Sequence, residues 1–486
     1  MITGEYWKMH DDATIKKIDQ AALRLLTESG ARIKHHGLLD LLEAAGCRID
    51  RPAMRCYFTE KLVRDAVGHL GGRTQEEVRI ESRWNPQCRL AHGGSYPHLL
   101  DWPSGHRRLA TRQDVIDMAR MAHVLNEFDC VGKVLTCSDV DQRIEPLWAA
   151  LELAQITDKR IGGGEIFYAD YIEPLVRMGE VISGKPGDVS LVASCDFFIA
   201  PLILEPNQAA CFIEKRRFGL PNMPGTMPIS GMSAPVTLAG TVAIAIAELL
   251  AGWVLGYLVN PDLPASGIVS SASMDMRTAS ACFGSPEAML QDVSVVNIAR
   301  RLYGIPVIAA VGYTDCKRPG FEAAFLKMFG ALGAPFGTDL NPCTWSSGLL
   351  SAGQDYSPVQ HLLDNEMSKA VERFWGHYEI NEETLAVELT EQIMRGTATN
   401  FMDTDHTAAH YKAEQWHPRW LERAPWQSTE HEIEAEHEMM QRIDQYCKDA
   451  IRRYERPDIE PARVAELKRI YQAAKKKILG KDTACA

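Results

Sequence analysis

No two cysteines in this 486-residue chain are spaced C-x-x-C, although 12 cysteines are scattered from Cys47 to Cys485. That spacing excludes a zinc ribbon and a thioredoxin motif, and predicts reduced, mostly buried thiols in a cytoplasmic protein. Clustered positive charge is nearly missing as well. The formal net charge is -12, and the one basic run, Lys475 to Lys477, lies close to the C-terminus. A nucleic-acid-binding surface is therefore not expected. The opening residues MITGEYWKMHDD have neither the charged start nor the apolar core of a signal peptide. No G-x-G-x-x-G follows the first expected strand, and Gly162, Gly163 and Gly164 come without a phosphate-loop lysine, so a nucleotide fold loses weight. One run alone, Thr237 to Val259, is long and apolar enough to suggest a membrane span. It contains Glu248 and many alanines, which favours a buried helix of a soluble protein with no membrane partner.

What is present suits a large buried core, since 46% of the residues are hydrophobic and 24% charged. Apolar residues recur at helical spacing from Asp11 to Ser29, and Gly30 stands where a C-terminal cap is wanted. Two short helices are expected near Leu38 to Ala45 and Glu60 to His69. Residues 77–110 read as a β-hairpin or meander, with turns at Gly93-Gly94 and Pro103-Ser104-Gly105. Thr111 and Asp114 form an N-cap pair for the next helix. Apolar strands then appear at Gly132 to Cys137, Arg160 to Phe167, Ser190 to Phe198, Asn222 to Ile229, Ala265 to Ser271 and Pro306 to Val311, with a seventh near Phe336 to Thr344. Helices such as Pro146 to Thr157, Pro206 to Phe218 and Pro286 to Tyr303 lie between them. This rhythm predicts an α/β fold, a TIM (β/α)8 barrel with an N-terminal helical/β extension and a C-terminal helical extension. An open doubly wound sheet is the alternative. The expected division is 1–125 for the cap and hairpin, 126–380 for the barrel, and 381–486 for a helical segment packing on the barrel or on a neighbouring subunit.

Many segments then carry a family resemblance in one order along nearly the whole chain. SAPVTLAGTVAIAIAELLAG, SMDMRT, FGSPEAML, ARRLYGIPV, YTDCK and LLDNEM resemble the trimethylamine methyltransferase (MttB-like) superfamily, as do ALRLLTESGARI and LLDWPSGHRRLATRQDV nearer the N-terminus. The resemblance implies a TIM-barrel methyltransferase that passes a methyl group from a methylated amine to the Co(I) of a separate corrinoid protein. Founding members carry pyrrolysine. This chain has standard residues only and is similar to the non-pyrrolysine branch, which includes glycine betaine:corrinoid methyltransferases. A homo-oligomer is implied by the same resemblance. So is the absence of a tightly bound cofactor, the methylcorrinoid (cobalamin) being carried by the cognate corrinoid protein.

A quaternary ammonium needs no acid to activate its leaving group, because the departing tertiary amine is neutral. Its site has to hold a cation, exclude water and align the N–CH3 bond. Aromatic walls suit that task, each cation–π contact contributing roughly 0.5–2 kcal/mol. Aromatic candidates at expected strand ends or mouth loops are Tyr96, Phe167, Phe198, Tyr313, Trp345 and Tyr356, with Gln354 beside the last. Ordinary packing is the plainer reading for any one of them. Carboxylates at the same ends are Glu165, Asp196, Asp275, Asp315, Asp339 and Asp355, of which Glu165 and Asp315 are the candidate catalytic pair. Asp275 and Arg277 read first as an internal ion pair shaping a loop. Alternatively Arg277, or Lys317, binds a substrate carboxylate. His406 and His410, at i and i+4, raise a metal-dependent TIM-barrel hydrolase as a rival reading. No third ligand is placed by sequence, and no metal site is expected. Cys316 reads as a packed thiol before a lowered-pKa nucleophile. A non-catalytic betaine-binding protein of the same fold is the remaining alternative.

Overall fold

The computed structural model describes residues 9–81, 93–337, 347–376 and 378–480. The first helix, Asp12–Arg24, starts where the Asp11 carboxylate accepts from the Thr14 amide at 2.7 Å, and runs through a π turn to Gly30, whose φ of 72° is the left-handed geometry glycine supplies. Strand Ala31–Ile33 pairs antiparallel with Arg55–Tyr57 and parallel with Ile203–Leu204, so the N-terminal cap is stitched to the body of the fold. The helix Glu60–Glu81 is longer than its sequence signal. It takes in residues 77–81, the start of the stretch read above as a β-hairpin or meander. Two alternating apolar residues are too few to overrule a run of strong helix formers that continues an established helix. The segment that follows, 82–92, lies outside the described residues. The expected hairpin is present as His98–Leu100 against Arg107–Leu109.

Beyond it, helices and short parallel strands alternate. Cys130–Val131 pairs with Arg160–Ile161, Gly164 bridges to Val192, and Cys195–Phe197, Met223–Thr226, Gly267–Val269 and Val307–Ala309 follow as parallel neighbours. On the other flank, Leu135 bridges in parallel to Tyr96, and His98–Leu100 pairs in parallel with Asp355–Tyr356. Ser351 and Ala352 donate backbone hydrogen bonds to the carbonyls of Cys316 and Thr314, at 2.7 and 2.8 Å. The expected seventh strand is not found where it was read. Phe336 and Gly337 end the helix Phe321–Gly337, and 338–344 lie outside the described residues.

The run that suggested a membrane span is the helix Leu238–Val259, with 83% of its most apolar window buried. Its glycines are sites of close approach. A Cβ on Gly252 would stand 2.3 Å from the Cβ of Pro224, and one on Gly256 1.8 Å from the Asn222 amide nitrogen. Glu248 is fully buried in this helix and accepts from the Thr226 hydroxyl at 2.6 Å and the Leu202 amide at 2.8 Å. Burial nevertheless pushes its carboxyl up to about 7. Asp292, accepting from the Ser271 amide at 2.7 Å, is pushed up to about 7 by the same cause.

Both groups bind their proton more tightly folded than unfolded. Their stabilising effect is complete at low pH, falls as pH rises from the unfolded carboxylate pKa towards 7, and levels off above it. The loss is on the order of 3 kcal/mol for each group. Glu248→Gln and Asp292→Asn are expected to flatten this fall. Chemical-denaturation midpoints compared at acid and alkaline pH test it, and an unchanged pH slope in both variants would refute it.

The last two helices cover the side of the fold. Thr429–Arg452 lies along Arg112–Val124 and Pro358–Trp375, and Pro461–Gly480 along Glu145–Ile156 and Ile172–Ser183. Their Ile443, Cys447, Leu467 and Ile470 join the same buried cluster as the helices they cover.

Candidate functional site

Alternation along one strand sets up the site. On Cys195–Phe197 the middle residue, Asp196, points to the helix Pro206–Arg217, where it receives Lys215 at 2.9 Å and Arg216 at 2.6 Å. All three are buried. Cys195 and Phe197 take the opposite, partly open side, and the Phe197 ring lies against Gly225, where a Cβ would come within 2.6 Å of it. Phe198 therefore does not serve as an aromatic wall. It turns back to the helix side, 3.3 Å from a Cβ placed on Gly252, and is core. Successive strand side chains point to opposite faces, so it is Phe197 that shares the partly open side with Cys195.

Glu165 lies one residue beyond the Gly164 bridge to Val192. Its side chain is open to solvent, yet desolvation by surrounding protein dominates its environment and raises its carboxyl above the ordinary range, against the lowering fields of Lys133 and Lys215. Tyr96 is close by: burial first, then the charges of Tyr313 and Glu165, hold its phenol well above its usual pKa, so it stays neutral. Burial also raises the Cys195 thiol to about 11, with Lys215 opposing and the Asp196 and Glu165 charges adding. Glu165 thus lies within electrostatic reach of both Tyr96 and Cys195, and Tyr96 within reach of Tyr313. Tyr313 is half-buried and faces Phe283 at 5.3 Å between ring centroids. Gly353 lies against it, at a φ of 92° that glycine supplies.

Other expected residues fall elsewhere. Tyr356 stacks on Tyr96 at 6.1 Å and bonds His361 at 2.9 Å, but it is wholly buried and supports Tyr96 from behind instead of lining the mouth. Phe167 stands exposed on the loop past Glu165. Gln354 is exposed, and its carbonyl accepts from the His98 amide at 3.3 Å. Asp355 is tied to Arg107 at 2.7 Å and Ser351 at 2.6 Å. Asp315 is half-buried near Cys282 and Cys316, whose thiols burial and its charge both raise; Cys316 is thus no activated thiolate. Asp275 and Arg277 form the internal pair, at 3.1 Å, that shapes their turn. The guanidinium lies 90% exposed, and hydrogen bonds from Arg277 hold the Asp275 carboxyl at about 2. Lys317 reaches back to the carbonyl of Asp315. Trp345 and Asp339 lie outside the described residues.

The two histidines of the rival metal reading share Glu383: His406 bonds its carbonyl and His410 its carboxylate, each at 3.2 Å. Among the described residues no group of three or more His, Cys, Asp or Glu is placed to hold a metal ion. The sequence reading missed Phe197, Cys195 and Phe283. Alternation from the buried Asp196 was the available signal for the first two, whereas nothing local marked Phe283.

Comparison with known proteins follows the same length of chain. The family model described as "Trimethylamine methyltransferase (MTTB)" matches residues 3–480. A protein of Desulfitobacterium hafniense (strain DSM 10664 / DCB-2) named "Trimethylamine methyltransferase MttB" is 26% identical over 422 residues, covering 83% of this chain and 82% of that protein. The "Glycine betaine methyltransferase" of Desulfitobacterium hafniense (strain Y51) is 24% identical over 423 residues, covering 84% of this chain and 86% of that protein. Among solved structures, the monomethylamine methyltransferase (MtmB) of Methanosarcina barkeri aligns over 92% of this chain and 95% of its own, at 12% identity and a TM-score of 0.43.

Proposed function

This chain belongs to the trimethylamine methyltransferase (MTTB) family, and from that premise we propose that it moves a methyl group from a quaternary amine to the Co(I) of a separate corrinoid protein, on a closed (β/α)8 barrel. The carrying observation is the solvent-exposed carboxylate of Glu165 within electrostatic reach of Tyr96, which is itself within reach of Tyr313. An acid near neutral aromatic rings matches a permanent cation that offers no hydrogen-bond donor of its own. The succession of parallel pairings from Cys130 to Ala309, with the Asp355–Tyr356 pairing beyond it, supports the barrel.

In the transfer the N–CH3 bond breaks and its electron pair stays on nitrogen, giving a neutral tertiary amine. The corrinoid supplies the nucleophilic electron pair that forms the new bond to the methyl carbon. Glu165 offsets the substrate's charge, Phe197, Tyr96 and Tyr313 provide apolar walls and exclude water, and no general acid is required. Cys195, held as a thiol, adds polarizable bulk and is not a competing methyl acceptor.

Support for a protein partner comes from the rim. Phe167, Ile199, Met232, Val236 and Met276 are large apolar side chains left exposed on loops that follow successive strands. A transient corrinoid protein docking there would cover them during transfer.

The reading is tested with the purified protein, a reduced corrinoid protein and a panel of tetramethylammonium, choline, glycine betaine and trimethylamine. Loss of the Co(I) absorbance with one equivalent of demethylated amine is expected for a quaternary member of the panel. No Co(I) loss with any methylated donor would sink it.

A further inference from the structure

The segment LLDNEM lies inside the helix Pro358–Trp375, and none of its residues has a part in the transfer described above. Its acidic side chains are buried and hold separate parts of the chain. Glu366 accepts from the Arg419 amide at 2.6 Å and so fixes the approach to the C-terminal helices. Asp364 holds a different set. Its Oδ2 accepts from Lys327 Nζ at 2.5 Å and from the Gly348 amide at 2.7 Å, and its Oδ1 from Gln360 Nε2 at 2.7 Å. The Gln360 Oε1 accepts in turn from the Gly320 amide at 3.3 Å. Asp364, Lys327 and Gln360 are all buried.

The two amides gathered in this way belong to the two segments that carry aromatic rings to the site. Gly348 opens the segment 348–356, whose last residue, Tyr356, stacks on Tyr96. The contact is close, since a Cβ on Gly348 would stand 2.5 Å from the Tyr356 ring. Gly320 closes the loop 313–320, which begins with Tyr313. The Ser351 and Ala352 amides bond the first segment to the carbonyls of the second. The turn that allows this is strained: Ser351 and Ala352 have φ of 51° and 55°, between Gly348 at 74° and Gly353 at 92°. Left-handed geometry at two consecutive side-chain-bearing residues persists only where the surroundings over-determine it. Asp364 supplies such a restraint at one end of each segment.

We infer that Asp364 is a positioning residue of the amine site: with Lys327 as its counter-ion it fixes Gly348 directly and Gly320 through Gln360, and so sets the spacing between the Tyr96–Tyr356 stack and Tyr313. The inference rests on the reading of Glu165, Tyr96 and Tyr313 as that site. Asp364 touches neither the cation nor the methyl group. Its loss is read in how the rings hold the cation.

The test replaces both charges together, Lys327→Met with Asp364→Leu, because a buried ion pair exchanged for apolar side chains is often neutral for stability, whereas removing one partner strands the other. The double variant is expected to keep its denaturant midpoint while binding tetramethylammonium about tenfold more weakly in calorimetry. Its amide hydrogen exchange over 314–320 and 348–356 is expected to quicken about tenfold. Gln360→Leu, which leaves the pair in place, is the second variant and decides the matter if the first does not fold. It is expected to quicken exchange over 314–320 alone and to weaken binding about threefold. A pair that served stability only would leave the affinity of the folded double variant unchanged, and that result overturns the inference. So does wild-type exchange in both segments of that variant, or over 314–320 in Gln360→Leu. Failure of the wild type to bind any methylated amine sinks the amine reading by itself, and the exchange rates of the two segments still decide whether Asp364 anchors them.

Discussion

Glu165→Gln is expected to weaken binding of the quaternary amine about 100-fold while leaving kcat undiminished. At about 5 Å and an effective dielectric near 20, a carboxylate attracts a cation by roughly 3 kcal/mol, which is a factor of about 100 in affinity. That attraction is largest in the ground state, because the substrate loses its charge as the methyl group departs. The lost contact therefore appears in the dissociation constant and in KM, and saturated turnover is spared or slightly raised. Burial raises the Glu165 carboxyl, so affinity in the wild type rises with pH through a limb lying above the free glutamic acid value of about 4.3. The glutamine variant lacks that limb. Calorimetry across pH and single-turnover Co(I) decay at saturating amine check both parts. Unchanged affinity with a collapsed kcat would instead make Glu165 a proton-transfer group and refute the charge-offset role.

Asp196→Ala is expected to cost about 3–5 kcal/mol of stability. The carboxylate sits between the strand and the helix with Lys215 and Arg216, and all three are buried. Lys215 also donates to the Cys195 carbonyl at 2.8 Å, and the Arg216 guanidinium lies 4.1 Å over the Phe212 ring. Deleting the anion strands two buried cations whose remaining partners are neutral. Because Cys195 and Phe197 flank Asp196, the substrate side of the strand is expected to loosen as well, raising KM. Asp275→Ala removes an exposed pair at 3.1 Å and is expected to leave stability unchanged, since such pairs are screened by solvent. Denaturant midpoints of the two variants decide the matter. A small loss at Asp196, comparable to that at Asp275, would disprove the anchoring role.

The contrast between these two aspartates also shows what was legible in the chain. Asp275 and Arg277 are two residues apart, and their pairing was readable from sequence. Asp196 and Lys215 lie on separate elements, and only the fold brings them together. Local signals survived well: Gly30 ends its helix, and Asp114 caps at Thr111 with a 2.8 Å bond to the backbone amide. Phe197 and Phe198 were not separable, because two adjacent identical residues carry no contrast from which to read strand register. The proximity of Glu165 to Tyr96 is long-range in sequence, and no periodicity within either stretch encodes it. The resemblance gave family and reaction class, whereas the individual site residues needed the strand register.

The burial of Leu238–Val259 also has a consequence for how the protein is made. Synthesis runs from the N-terminus, so Asp12–Arg24 and Glu60–Glu81, which both pack on that helix, have left the ribosome before it emerges, whereas Pro286–Ile298, which also covers it, comes later. At a mean hydropathy of 2.1 over its apolar window, the nascent helix has the length and composition of a bilayer-spanning segment. The N-terminal cap is then the cover already waiting at the ribosome exit. A chain begun after that cap would offer the same helix to the membrane-insertion machinery.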